Sequence, residues 1–126
     1  MMVKPRRRIA VVDDDPSVCK ALARLLRASD LDADAYGSAQ QFLDSLQTSV
    51  PDCLVLDLQM PEMDGLALQR ELGRAGIRLP IVVITGHDEP GMQARCLAAG
   101  AAAYLRKPLK EKTLLAAIEA AIVSHQ

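Results

Sequence analysis

The chain has little of what several protein classes require. Its cysteines are few and odd in number (Cys19, Cys53 and Cys96), they lie far apart, and no CxxC pair occurs. That argues against a disulfide framework or a thiolate zinc site and suits a reducing compartment. Neither sign of charge dominates: the net charge is -1, so the overall balance points to neither nucleic acid nor an anionic membrane. No apolar run approaches the length of a bilayer span. The start, Met1 to Arg8, has no apolar segment of the kind a secretory leader needs. Repeats, low-complexity tracts and interdomain linkers are also missing. A soluble cytoplasmic protein is the expectation. With 126 residues, half of them apolar, the chain suits one domain with one core, placed at about 7–123. The basic run Arg6-Arg7-Arg8 is too short to mark a binding tract and reads as a solvated N-terminal stub.

What is present is an alternation of short apolar runs with helical patterns. Ile9 to Val12 reads as a strand. Asp15-Pro16 then opens a helix, with Asp as cap and Pro at its first position, and Val18, Ala21, Leu22, Leu25 and Leu26 form its apolar face. Residues 31–36 alternate, with Leu31, Ala33 and Ala35 on one side and Asp32 and Asp34 on the other, as on an edge strand. Ser38 caps a second helix striped by Ala39, Phe42, Leu43 and Leu46. Two continuous apolar runs, 53–56 and 81–84, suit central parallel strands. Between them, 65–75 reads as a third helix with Leu68 and Leu72 inward. The spacing predicts a fourth helix over 90–99, a fifth strand over 102–105 and a last helix over 110–123, buried through Leu114, Leu115, Ile118 and Ile122.

Five such units imply an α/β fold, a parallel five-stranded sheet wound with helices on both faces. The edge character of the second strand favours the order 2-1-3-4-5. Ligands of such sheets bind beyond the C-terminal strand ends, where the winding reverses between strands one and three. The first strand ends in Asp13, Asp14 and Asp15, and the third in Asp57. Unit charges at 4 Å repel by roughly 4 kcal/mol at an effective dielectric of 20, so such a cluster calls for a cation. A hard divalent ion such as Mg²⁺ is the natural partner of oxygen ligands. The fourth strand ends in Thr85, which supplies a hydroxyl, and the fifth runs out at Lys107, which can stabilise charge in phosphoryl transfer. Asp57 is the candidate nucleophile, since a carboxylate can form an acyl phosphate. Asp15 reads as a helix cap, Asp64-Gly65 as helix-start chemistry, His87 as an exposed loop residue, and the cysteines as small buried hydrophobes.

At these residues the chain resembles the receiver domains of two-component response regulators. The segments that carry the resemblance are 11–15 (VVDDD), 56–65 (LDLQMPEMDG), 84–87 (ITGH) and 104–108 (YLRKP), in family order across nearly the whole chain. The resemblance implies a flavodoxin-like, CheY-like (βα)5 fold. It implies Asp57 as phosphoacceptor, and Asp13, Asp14, Asp57 and the main-chain carbonyl of Gln59 as Mg²⁺ ligands. Lys107 is implied as the phosphoryl-pairing lysine, Thr85 as the switch hydroxyl, and Tyr104 as the aromatic that turns inward with it. A cis peptide before Pro108 is also implied. The sequence is similar in flavour to receivers of LuxR-type, FixJ-like regulators. Gln59 and His87 stand where the family varies and where access of water to the aspartyl phosphate is set.

The same resemblance implies a switch that catalyses its own phosphotransfer and dephosphorylation, not a turnover enzyme. Implied partners are a sensor histidine kinase as phosphodonor, a second copy of the phosphorylated chain, and an output domain outside this sequence. Direct contact with nucleic acid or a membrane is not expected. Signalling is implied through the face of the fourth helix, fifth strand and fifth helix, which carries Met92, Ala94, Cys96, Ala98, Ala99, Arg106, Lys110 and Lys112. Two rivals share parts of the pattern. A haloacid-dehalogenase-like phosphohydrolase also uses a strand-end Asp and Mg²⁺, but it needs a second acid where Gln59 stands. A flavodoxin-like flavin carrier needs a phosphate-cradling glycine loop after the first strand, where acids stand here.

Overall fold

The protein is described by a computed structural model covering residues 6–125; the expectations that fall on 1–5 and on 126 lie outside the described residues. The elements alternate as β1 (Arg8–Val12), α1 (Pro16–Ala28), β2 (Asp32–Tyr36), α2 (Ala39–Ser45), β3 (Cys53–Asp57), α3 (Gly65–Arg74), β4 (Ile81–Thr85), α4 (Met92–Ala98), β5 (Ala103–Arg106) and α5 (Glu111–His125). The sheet is parallel throughout, with order 2-1-3-4-5. This is the fold that the sequence predicts.

The continuous apolar runs are continuous because both of their faces are covered. β3 and β4 are buried at every position. Alternate residues serve opposite layers, as the period of a strand requires. Leu54, Leu56, Ile81 and Val83 pack with Phe42, Leu66, Leu68, Leu72 and Cys96 from α2, α3 and α4. Cys53, Val55, Val82 and Ile84 pack with Leu22, Ala23, Leu26, Leu114, Ile118 and Ile122 from α1 and α5. Tyr36 and Phe42 meet edge to face at 5.7 Å between ring centroids, and Tyr104 packs against the same layer.

Several sequence expectations shift. The buried stripe of α1 is Cys19, Leu22, Ala23 and Leu26, with Val18 and Leu25 half-buried and Ala21 exposed. The i, i+3, i+4, i+7 series that starts at Cys19 is the one aimed at the sheet. Ala35 is exposed although it follows Ala33 by two, because β2 is an edge strand and a methyl group leaves its outer end uncovered. Leu115 is only half-buried, and Ala121 takes its place on the inner face of α5. α4 begins at Met92 instead of residue 90, because Gly91 takes a left-handed conformation (φ 80°) that a helix interior cannot hold. β5 begins one residue later than expected; Ala102 still donates its N–H to Ile81 O at 2.8 Å.

The basic run is not a free stub. Arg8 is the first residue of β1 and lies 3.5 Å from Asp34, while Arg6 bridges Asp30 at 3.2 Å and Asp32 at 3.5 Å. The acidic side of β2 supplies its partners. Among the described residues no helix is long and apolar enough to cross a membrane.

Candidate functional site

Sheet register assembles the site. The last β1–β3 pair is Val12↔Leu56, so Asp13 and Asp57 leave neighbouring strands side by side. Thr85 ends β4 beside Arg106 of β5, and Lys107 follows at once. Local chemistry fixes the approach of each loop. Asp15 caps α1, accepting from Ser17 N–H at 2.9 Å, and Asp64 caps α3, accepting from Ala67 N–H at 2.8 Å. Both acids act as helix caps, as their sequence contexts predict. Asp13 accepts from Asp15 N–H at 2.9 Å, which turns its carboxylate back over the strand end. Gly65 donates to Leu58 O at 3.0 Å, and α3 starts so close to β3 that a Cβ on Gly65 would stand 2.6 Å from Asp57 O.

Asp13 and Asp57 are almost fully buried, at 1 % and 2 % exposure, whereas Asp14 is exposed. One carboxylate oxygen from each of the three lies within 4.8 Å of the other two. The Lys107 ammonium reaches into the cluster, 2.9 Å from Asp13 Oδ2 and 3.4 Å from Asp57 Oδ1. Burial acts to lower the Lys107 pKa, but hydrogen bonding to Asp13 and the charges of Asp57 and Asp13 outweigh it and hold the ammonium above its ordinary value. Asp57 moves the other way from a simple ion-paired acid. Burial and then the Asp13 charge push it up to about 6, against the pull of Lys107. The two shifts are consistent: one ammonium is shared between two buried acids and sits nearer to Asp13. Asp57 is left under-neutralised.

That imbalance is the fit test for a metal. Three ionised carboxylates against one ammonium leave a deficit that one divalent cation would cancel, and every donor is a hard oxygen. The residues present fit Mg²⁺.

Thr85 is buried at the strand end, and its hydroxyl is engaged. It lies 2.7 Å from Gln59 Oε1 and 2.9 Å from His87 O, and it accepts from His87 N–H at 3.1 Å. Gln59 in turn donates through Nε2 to His87 O at 2.8 Å. Sequence reasoning gives Gln59 a role through its main-chain carbonyl and reads His87 as an exposed loop residue, but it misses this side-chain ring, since nothing in the spacing shows a glutamine reaching across two loops. It also missed Asp88, which accepts from Tyr104 Oη at 2.8 Å and from Arg106 Nε at 2.7 Å. Tyr104 is half-buried, and burial together with Asp88 pushes its phenol up to about 12. His87 is exposed, as expected, with Glu89 Oε1 3.6 Å from its ring Nε2. The cysteines are buried free thiols; burial raises all three, Cys53 to about 12, so none is a poised nucleophile. The Lys107–Pro108 peptide is cis, as expected.

The chain resembles known proteins along nearly all of its length. A family model described as the response regulator receiver domain matches residues 9–119. The response regulator protein TodT of Pseudomonas putida is 41% identical over 114 residues, covering 90% of this chain and 50% of TodT. Nodulation protein W of Bradyrhizobium diazoefficiens is 42% identical over 113 residues, again covering 90% of this chain and 50% of the relative. The chain thus spans about half the length of these curated relatives. Among solved structures, the crystal structure of FixJ-N superposes with a TM-score of 0.87 at 34% identity, covering 95% of this chain and 96% of that one. The response regulator StyR superposes with a TM-score of 0.84 at 38% identity, covering 96% of this chain and 61% of StyR. The FixJ-like flavour of the sequence is thereby met, and neither a phosphohydrolase nor a flavin carrier is among these similarities. With the strand-end acids, lysine and threonine in place, this chain belongs to the response regulator receiver domain family of two-component signalling.

Proposed function

We propose that Asp57 is the phosphoacceptor and that residues of about 7–123 work as one receiver unit. The observation that carries this reading is Asp57 itself: buried at the end of β3, with Lys107 Nζ at 3.4 Å and a carboxylate crowded by Asp13. In the forward step an Asp57 oxygen attacks phosphorus, the P–N bond of a phosphohistidine breaks, and the imidazole leaves. In the reverse of activation, water attacks phosphorus and the acyl phosphate P–O bond breaks, returning the carboxylate. Lys107 pairs with the negative oxygens of the transferred group throughout. Asp13, Asp14, Asp57 and the Gln59 carbonyl would hold Mg²⁺, whose charge supports the phosphoryl oxygens and offsets the repulsion among the acids.

The phosphodonor is a sensor histidine kinase, the domain is a cytoplasmic switch and not a turnover enzyme, and its readout passes to an output domain or partner. Thr85 and Tyr104 carry the change outward. Ala94 and Ala98 face outward on α4, Leu97 is 44% exposed, and Arg106 lines the same groove as Ala94 and Leu97, with Lys110 and Lys112 also exposed; Cys96 is buried and Met92 and Ala99 are half-buried, so these three support the face from beneath. Small residues on an exposed helix admit a close neighbour, and the phosphorylated form self-associates there.

Intact-mass measurement after acetyl phosphate and Mg²⁺ tests the acceptor. One phosphate on the wild type and none on Asp57→Asn is expected; equal labelling removes Asp57 from the mechanism. Sedimentation velocity with and without beryllofluoride tests the face, and a monomer in both states well above micromolar concentration rejects self-association.

A further inference from the structure

The ring that engages Thr85 has a definite chemical sense. The Thr85 hydroxyl has one proton. If it donates to Gln59 Oε1 (2.7 Å), then Gln59 Nε2 donates to His87 O (2.8 Å) and His87 N–H donates to Thr85 Oγ1 (3.1 Å), and the three bonds close a cycle. The cycle fixes which way the amide points. With its ends exchanged, Gln59 Oε1 would face the His87 carbonyl, oxygen to oxygen. A glutamate at 59 would make the same clash, and an apolar residue would make neither bond. Glutamine therefore fits both partners at once, through an acceptor at one end and a donor at the other. The side chain ties the loop after β3 to the loop after β4 and occupies the hydroxyl that the switch must free.

We propose that the Gln59 side chain is a positioning residue that holds Thr85 and the 85–87 main chain in the unphosphorylated arrangement and so sets the threshold of the switch. This rests on the reading of Asp57 as acceptor and Thr85 as switch hydroxyl. For Thr85 to donate to a phosphoryl oxygen on Asp57, its bond to Gln59 must break. For the loop to follow, the bond from Gln59 to His87 must break as well. A ligand shifts a two-state equilibrium only by its differential affinity, so interactions present in one state alone reduce the apparent affinity for the other.

The test is a double-mutant cycle. Beryllofluoride with Mg²⁺ is titrated into wild type, Gln59→Met, Thr85→Ala and the double variant, and binding is followed by fluorine NMR. Met matches glutamine in length, lacks both polar ends, and keeps the main-chain carbonyl at 59. Gln59→Met is expected to bind the mimic about 5- to 10-fold more tightly than wild type, the scale of one or two net hydrogen bonds. In the Thr85→Ala background the same substitution is expected to gain clearly less, about two- to threefold, since only the bond from Gln59 to His87 O is left to break. An unchanged or weakened affinity in Gln59→Met, or an equal gain in both backgrounds, overturns the proposal.

A second arm needs no mimic and separates this inference from the reading on which it rests. Methyl scalar couplings report the Thr85 χ1 rotamer in the free protein. One rotamer is expected in wild type and averaging between rotamers in Gln59→Met. A single unchanged rotamer in the variant overturns the latch, whatever Asp57 does. If beryllofluoride fails to bind wild type at all, the assignment of Asp57 falls, and this measurement alone decides the role of Gln59.

Discussion

Aspartates meet basic side chains in two places, and the two places behave in opposite ways. At the β2 edge, Arg6 and Arg8 reach Asp30, Asp32 and Asp34 in the open, and the Asp30 side chain is 94% exposed. At the strand ends, Lys107 meets Asp13 and Asp57 with those side chains 1% and 3% exposed. Water screens the first group, and its partners come in near-matched numbers, so it tidies an edge strand at almost no energetic consequence. The second group is desolvated and short of positive charge. The same residue types therefore cost stability at the strand ends, and on the proposed function what that cost maintains is a site for a cation and a phosphoryl group.

Removing the ammonium should sharpen this contrast most. Lys107→Met leaves buried acids without their partner and should destabilise the metal-free protein by about 2–4 kcal/mol in urea unfolding at pH 7. Millimolar Mg²⁺ should restore a large part of the loss, and a loss near zero would mean the ion pair is screened like the one at the edge.

Asp57→Asn comes next and should act with the opposite sign. The folded-state pKa of Asp57, about 6, lies above its unfolded value of 3.8. The folded protein therefore holds a proton that the unfolded chain releases between those values, so wild-type stability falls as pH rises through that window. Asparagine has no such dependence. The metal-free variant should be more stable than wild type by about 1–2 kcal/mol at pH 7, with the difference closing as pH falls towards 4. A difference that does not vary with pH would place the effect outside the titration of Asp57.

Asp14→Ala removes an exposed acid from the same cluster. It should change metal-free stability by under about 0.5 kcal/mol and in the stabilising direction. Calorimetric titration should nevertheless show weaker Mg²⁺ binding, and an unaltered affinity would refute the ligand set. The smallest effect belongs to the edge. Arg6→Ala should cost no more than about 0.5 kcal/mol, and that should vanish in 1 M salt.

Much of this is legible in the sequence alone, for physical reasons that differ by region. β3 and β4 showed themselves because strands buried on both faces must be apolar at every position, and Asp57 and Thr85 showed themselves as the first polar residues to end those runs. Helix caps at Asp15, Ser38 and Asp64 were legible because a cap is a local bargain between one side chain and the next three residues. The errors fall where one residue step decides the face, as at Ala21 and Ala35, since alanine fits either side. The Gln59–Thr85–His87 ring and the Asp88 contacts to Tyr104 and Arg106 were invisible, because they join loops whose relative placement only the assembled sheet determines.

Gly65 has a mechanical consequence. Its missing side chain lets α3 seat directly on the main chain of Asp57 and Leu58, with a would-be Cβ only 2.6 Å from the Asp57 carbonyl oxygen and 3.0 Å from Leu58 Cα. No slack is left on that side of Asp57. On the other side residues 86–91 are exposed, and a Cβ at Gly86 would meet nothing closer than the Lys107 side chain at 3.6 Å. The site is a vice with one jaw fixed by main-chain packing, α3 against β3, and a second jaw, the stretch from Thr85 into α4, held by side-chain hydrogen bonds through Gln59 and Asp88. On the proposed reading of Asp57 as acceptor, force arising at its carboxylate would be delivered to that second jaw, and α4 and β5, not α3, are the elements expected to move.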